Sequence, residues 1–241
     1  MDFLLGYNTS LPLANNATAP SLGYMSLVTY ASDQFPDLSI AERFWWAHYA
    51  YWQSGVVATG LLTFWSHEVV YFGRCLPWIV ADALPSLFLC FKIQEAKQPS
   101  AAQQWGCTKF VLLFHPLCEL VGLNIQVPFP TWGAMAAQLV SFFALEDAYH
   151  YWAHRFLHWG PMYRKVHCIH HTYAAPFGLA AEYASPSETL LLGAGTIGSP
   201  LIIGLFGVNI HLLTVIAWVT LRQFQAIDAH SGYDFPWSLR H

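Results

Sequence analysis

Residues 146–171 read EDAYHYWAHRFLHWGPMYRKVHCIHH and contain six histidines in two sets. The first set repeats every four residues, so a helix would place its three imidazoles on one face. The Gly-Pro pair at 160–161 indicates the end of that helix. The second set has the i, i+3, i+4 spacing of another helical face or turn. The two sets are His150, His154 and His158, and then His167, His170 and His171.

Two separately phased sets of histidine predict a metal site. Imidazole binds iron, zinc, copper and nickel. A single tetrahedral zinc ion takes four ligands, so two ions held close together make better use of six imidazoles. Three acidic residues lie near the sets in sequence. They are better candidates for hydrogen-bonding partners that orient the rings than for metal ligands. These residues are Glu146, Asp147 and Asp228.

The composition of the chain is that of a membrane protein. Hydrophobic residues make up 55% of the 241 residues, aromatic residues 17% and charged residues only 10%. Soluble domains carry about 25% charged residues. With a net charge of −4 and no long basic run, the chain has no electrostatic footprint for nucleic acid. The five cysteines form no CxxC pair, and free buried thiols are expected at Cys75, Cys90 and Cys118.

Three pairs of apolar segments indicate how the chain crosses the membrane. Short, nearly uncharged turns at 73–74, 128–130 and 207–209 join the members of each pair. Backbone polar groups in lipid must be hydrogen-bonded within their own segment, so each pair predicts a transmembrane helical hairpin. Several segments are shorter than the about 20 residues of a full span, which leaves tilted or incomplete crossings open. The segments are 56–72 and 76–91, 110–127 and 132–145, and 190–206 and 210–221.

The basic residues predict the orientation of these hairpins. The long polar stretches between hairpins carry several Lys and Arg residues, and the positive-inside rule places such stretches in the cytosol. The histidine sets lie in one of them. The sequence therefore predicts an all-α integral membrane protein, with transmembrane helical hairpins and a cytosolic, histidine-rich helical cap.

Two short motifs within this stretch are similar to those of a known family. HRFLH at 154–158 and HCIHH at 167–171 resemble the first two histidine boxes, HxxxH and HxxHH, of the membrane fatty acid hydroxylase superfamily. The flanking sequence resembles the sterol C4-methyl oxidase branch of that superfamily, most strongly from about residue 132 onward. The flanking matches are AAPFG at 174–178, AEYA at 181–184, PSETL at 186–190 and HSGYDFPW at 230–237.

The resemblance implies a di-iron monooxygenase of the endoplasmic reticulum membrane. Such an enzyme uses O2, with electrons from NAD(P)H through cytochrome b5 or its reductase, to oxidise the C4-methyl group of a sterol taken from the bilayer. Other sterol C4-demethylation proteins would be its partners. His150 precedes the family pattern and is expected to be a structural or ring-orienting residue. By match to the boxes, the iron ligands would be His154, His158, His167, His170 and His171, with His230 as a further ligand.

The resemblance also divides the chain and raises an expectation about its end. Residues 1–40 form a polar N-terminal segment, 41–131 a membrane hairpin region, and 132–241 the hydroxylase-like domain. The family pattern carries a third box, HHDxHH, beyond the HSGYDFPW motif, whereas this chain ends at His241. We therefore expect a truncated site that binds iron weakly, with little oxidase activity.

Other functions remain open from the sequence. The same metal chemistry serves fatty acyl or sphingolipid hydroxylases and desaturases. A non-catalytic, truncated membrane paralogue is an alternative of a different class. A zinc-dependent membrane hydrolase is disfavoured, because the sequence has no HExxH motif to supply a general base beside the metal.

Overall fold

The structure, a computed structural model, describes residues 22–114 and 123–236, and these residues are mostly helical. The predicted all-α class is confirmed for these residues, where β pairing is limited to two isolated bridges. The predicted features at Cys118, Trp237 and His241 lie outside them. The α-helices are α1 (Tyr24–Gln34), α2 (Ile40–Trp52), α3 (Gly55–Ala83), α4 (Pro85–Phe88), α5 (Ala101–Phe114), α6 (Trp132–Leu157), α7 (Gly160–Lys165), α8 (Pro186–Leu205) and α9 (Leu212–His230). Short 3-10 helices cover Leu89–Phe91, His167–Thr172 and Gly178–Glu182.

Within the described ranges, α8 is the one helix long and apolar enough to cross a membrane. Helix α3 and the short helical segments at 85–91 are also long and apolar enough if they are counted as one span, although they are bent by 92° relative to each other. The arrangement of three transmembrane hairpins therefore stays a prediction.

The predicted break at residues 73–74 is wrong. Helix α3 passes through Gly73 and Arg74 without interruption. One glycine costs a helix only about 1 kcal/mol relative to alanine, and arginine is a good helix former. The interruption comes at Leu84, whose φ of −121° and ψ of 58° are not helical. Its cause is Pro85, because a proline ring disfavours the α conformation in the residue before it.

Helix α6 joins the apolar segment 132–145 to the first histidine set in one element. It begins after Thr131, whose Oγ1 accepts a hydrogen bond from the Ala134 N–H at 3.3 Å, as an N-cap does. The predicted break at 207–209 is confirmed, since α8 ends at Leu205 and α9 begins at Leu212. Gly207 lies there with a φ of 80°, a value that glycine adopts without strain.

The chain divides into two compact units. Among the described residues, the first comprises 22–66, 123–141 and 200–217, and its core includes Trp45, Tyr49 and Leu212. The second comprises 67–114, 142–199 and 218–236 and holds all six candidate metal ligands. In its core, the buried Tyr71 hydroxyl donates to the Leu179 carbonyl at 2.6 Å, which fixes the 3-10 helix Gly178–Glu182.

Of the cysteines predicted to be free and buried, one is confirmed and another is exposed. Cys75 is a free, buried thiol, as predicted. Cys90 is free but exposed, so its predicted burial is wrong. It lies in the 3-10 helix Leu89–Phe91, which, like α4 before it, has no buried residue.

Candidate metal centre

The first histidine set lies at the C-terminal end of α6. His154 belongs to the last turn of the helix, and the His158 N–H donates to the His154 carbonyl at 3.1 Å, which continues the helical path by one residue. The ring centroids of His154 and His158 are 4.7 Å apart. His150 lies one turn earlier, with its ring stacked on that of His154 at a centroid distance of 5.7 Å.

The second set lies in the 3-10 helix His167–Thr172 and meets the first. His167 is completely buried. Its Nε2 lies 3.2 Å from Nε2 of His158 and 3.0 Å from Nε2 of His171. One ligand nitrogen from each of four histidines lies within 4.8 Å of the other three. We call this group the four-histidine cluster, and its members are His154, His158, His167 and His171.

The other two predicted ligands form a second group beside the first. His230 is the last residue of α9. Its Nε2 lies 2.9 Å from Nε2 of His170, and we call these two residues the histidine pair. The His170 ring is 5.5 Å from that of His167 and 5.7 Å from that of His171. The structure thus brings all six predicted ligands together, whereas His150 is outside both groups.

Backbone contacts decide which nitrogen of the histidine pair carries the proton. Nδ1 of His170 lies 3.1 Å from the Tyr183 carbonyl, and Nδ1 of His230 lies 2.7 Å from the Ala226 carbonyl. A carbonyl oxygen can only accept a hydrogen bond, so each Nδ1 must be the donor. The neutral rings then present two Nε2 lone pairs to each other. Lone pairs at that distance repel, and a shared cation would remove the repulsion.

A carboxylate makes the corresponding contact in the four-histidine cluster. Nδ1 of His167 lies 2.7 Å from Oε1 of Glu188, and both side chains are buried. With the proton on Nδ1, Nε2 of His167 offers its lone pair toward His158 and His171.

The spacing of the ring nitrogens fits metal coordination. Two imidazole nitrogens bound at right angles to one ion, each at about 2.1 Å, are about 3.0 Å apart. The Nε2 of His167 lies 3.0 and 3.2 Å from those of His171 and His158, and the two Nε2 atoms of the histidine pair lie 2.9 Å apart. The residues present therefore suit metal ions by donor type, lone-pair direction and distance.

Burial keeps these rings neutral. Burial, followed by the neighbouring imidazoles, lowers the pKa of His154 to about 4 and that of His167 to about 3. Burial and then His230 lower the pKa of His170 to about 4. Only a neutral imidazole can bind a metal, so the rings are ready to act as ligands at neutral pH.

The acidic residues near the sets in sequence have other contacts. Glu146 accepts a hydrogen bond from Arg222 at 2.8 Å and lies 3.4 Å from Nδ1 of His150. Asp147 lies 3.4 Å from Arg222. Asp228 accepts a hydrogen bond from Arg74 Nε at 2.9 Å.

Sequence reasoning missed Glu188, which is 21 residues from His167 in the chain. Its signal in the sequence is a helix start, Ser185-Pro186-Ser187-Glu188, rather than proximity to the histidines.

Comparison with known proteins identifies the family. Residues 139–241 match the fatty acid hydroxylase family model. Methylsterol monooxygenase erg25A of Aspergillus fumigatus is 59% identical over 97% of this chain and 80% of its own length. C-4 methylsterol oxidase erg25 of Schizosaccharomyces pombe is 48% identical, covering 90% and 76% of the two chains, and that of Candida albicans is 48% identical, covering 94% and 76%. No solved structure matched the chain. The chain belongs to the fatty acid hydroxylase family, in its methylsterol monooxygenase branch.

Proposed function

We propose that this protein is an O2-dependent monooxygenase that oxidises the C4-methyl group of sterols in sterol biosynthesis. Relatives that are 48% to 59% identical carry the names methylsterol monooxygenase and C-4 methylsterol oxidase. The observation that carries the proposal is the convergence of the two histidine sets and His230 into adjacent groups whose Nε2 atoms face one another. Such a donor set suits a metal-dependent oxidation, since imidazole binds iron well.

We assign two iron ions to this centre. The four-histidine cluster would hold one ion, and the histidine pair would contribute to holding the second. Imidazole ligands suit iron, and bound iron would supply the activation of O2 that the oxidation of an unactivated methyl C–H bond requires. The residues in this role are His154, His158, His167, His170, His171 and His230.

The remaining contacts in the site orient these ligands. Glu188 and the carbonyls of Tyr183 and Ala226 each accept the Nδ1 proton of one ring, which leaves Nε2 free to bind an ion. Burial of His167 keeps water from competing for that nitrogen. Rings that are held in one tautomer and one orientation lose little entropy when a metal binds.

The membrane supplies the substrate in this proposal. A sterol is nearly all hydrocarbon and would enter from the bilayer, near the apolar helix α8. We assign the chain to the endoplasmic reticulum membrane as a multi-pass protein with three hairpins and the histidines on the cytosolic side. Residues 132–241 are the hydroxylase-like domain. NAD(P)H, through cytochrome b5 or its reductase, is the electron source, and other sterol C4-demethylation proteins are the partners.

A direct test gives one membrane preparation both a labelled 4,4-dimethyl sterol and a labelled acyl lipid, with O2 and NADPH. We expect the oxidised product that forms to come from the C4-methyl group of the sterol rather than from the acyl lipid, and we expect His158→Gln to abolish it. His48→Gln is the matched control, because His48 lies in α2, outside both histidine groups. Product from the acyl lipid alone would instead identify a fatty acyl enzyme. Equal product from His158→Gln would contradict the assigned site.

A further inference from the structure

Two helices in this chain begin with the same pattern, Ser-x-x-Glu, which is typical of a capping box. At the start of α2, Ser39 and Glu42 form the complete motif. The Ser39 N–H donates to Oε2 of Glu42 at 2.7 Å, and the Glu42 N–H donates to Oγ of Ser39 at 3.4 Å. The carboxylate of Glu42 thus stabilises the first turn of its own helix.

At the start of α8 only half of the motif forms. The Glu188 N–H donates to Oγ of Ser185 at 3.3 Å, as in a capping box. The Glu188 carboxylate contacts Nδ1 of His167 at 2.7 Å instead. Its other oxygen, Oε2, is buried and has no hydrogen-bond partner within the described part of the chain. An unsatisfied buried oxygen is destabilising, so this arrangement is better explained by what Glu188 does for His167 than by stability of the helix.

The contact with Glu188 sets His167 apart from the histidine pair. Nδ1 of His170 and Nδ1 of His230 each face a neutral backbone carbonyl, whereas Nδ1 of His167 faces a carboxyl oxygen of Glu188 at 2.7 Å. A carboxylate partner makes an imidazole a more basic, more electron-rich ligand than a carbonyl does. His167 is also the ring whose Nε2 lies within 3.2 Å of two other cluster nitrogens.

We propose that Glu188 is a positioning residue that holds the proton of His167 on Nδ1. It thereby makes the four-histidine cluster the tighter of two unequal metal positions. The inference rests on the proposed metal centre and adds to it an order of filling, in which the cluster binds its ion first and the histidine pair binds second. The carboxylate acts through His167 and does not itself touch the metal or the sterol.

Titration of the full 241-residue chain with Co2+ in detergent, followed by the visible absorption of the bound ion, tests this inference without any activity measurement. We expect two binding steps for the unaltered chain. Glu188→Ala should weaken the first step by about 10- to 100-fold, the usual effect of removing a partner of a ligating histidine. Glu188→Gln can still accept the Nδ1 proton but lacks the charge, so it should restore part of the affinity and shift the absorption spectrum.

Ser185→Ala is the matched control for a role in helix stability. It removes the cap of the same helix start but leaves the contact between Glu188 and His167 in place. We expect its first binding step to be unchanged. An equal loss in Ser185→Ala and Glu188→Ala would overturn the inference, as would a first step that Glu188→Ala leaves unaltered. Failure of the unaltered chain to bind Co2+ would overturn the proposed metal centre itself.

Discussion

The Nε2 atoms of His170 and His230 lie 2.9 Å apart, although backbone carbonyls hold the proton of each ring on Nδ1. No hydrogen bond can form between these two lone pairs. The contact joins the 3-10 helix His167–Thr172 to the end of α9, across 60 residues of chain. A cation bound between the two rings would therefore stabilise this contact.

This relationship predicts opposite effects of His230→Asn with and without metal. Without metal, the substitution should leave the midpoint of thermal unfolding unchanged or raise it, because it removes a repulsion. With metal present at about 100 times its dissociation constant, the unaltered chain should gain about 2.7 kcal/mol per site, and the variant should lose part of that gain. His150→Asn is the control, since His150 is outside both groups, and should keep the full gain. Equal metal-induced shifts in all three proteins would contradict the assignment of His230.

The buried histidines predict how stability depends on pH. Burial and neighbouring imidazoles lower the pKa of His154 to about 4 and that of His167 to about 3. In the unfolded chain both have a pKa of about 6.5 and take up protons at higher pH than the folded chain. Their contribution to stability is therefore complete above pH 6.5 and is lost as the pH falls toward 4.

Thermal unfolding of the metal-free chain between pH 7.5 and pH 4 measures this effect. We expect the midpoint to fall steadily below pH 6.5, and to fall less in His154→Gln, which lacks one of the depressed groups. A midpoint that rises on acidification, or an equal fall in both proteins, would show that these rings do not titrate as a buried neutral cluster.

Gly195 allows α8 to lie against the ring of Tyr149. A Cβ at Gly195 would clash with Cδ1 of Tyr149, whose hydroxyl donates to the Leu191 carbonyl at 2.8 Å. We expect Gly195→Ala to lower the free energy of unfolding by about 1 to 3 kcal/mol, the usual effect of overpacking. Gly193→Ala, in the same helix with no atom within 4 Å of the added Cβ, should instead be neutral or stabilising. Chemical denaturation of the two variants side by side distinguishes them, and equal effects would contradict this packing.

Gly232 fixes the chain just after His230. Its φ is 76°, and a Cβ there would lie 2.7 Å from the Pro176 carbonyl oxygen. Gly232→Ala should therefore move the end of α9, because the left-handed conformation alone costs a residue with a Cβ about 1 to 2 kcal/mol. We expect weaker metal binding at the histidine pair, measured by metal titration, than in Gly73→Ala, whose added methyl group meets no atom within 4 Å. Unchanged binding in Gly232→Ala would show that this turn does not position His230.

Periodicity accounts for the parts of the site that the sequence could predict. The histidines lie four residues apart along α6 and at i, i+3 and i+4 within 167–171. Which of them share a face depends only on local backbone geometry. The separation of His170 from His171 into different groups was not predictable in this way. A 3-10 helix directs neighbouring side chains differently from an α-helix, and the choice of partner for His170 depends on where α9 ends.

The errors have similar physical causes. Gly73 suggested a turn, but tertiary structure commonly overrides the weak propensity of one glycine. Glu188 was missed because its Ser-x-x-Glu pattern indicates a capping box, as at Glu42, and only the folded chain shows its carboxylate bonded to His167. Local patterns predicted which histidines come together, whereas the partners that orient their rings depend on contacts between distant segments.

We infer that histidine nitrogens from α6, the 3-10 helix His167–Thr172 and α9 hold iron. X-ray absorption at the iron edge, on the chain loaded anaerobically with Fe(II), tests it most directly. We expect imidazole scattering with iron–nitrogen distances of about 2.1 Å, reduced in His158→Gln and in His230→Asn and unchanged in His48→Gln. A spectrum of oxygen ligands only, or one that none of these substitutions alters, would contradict it.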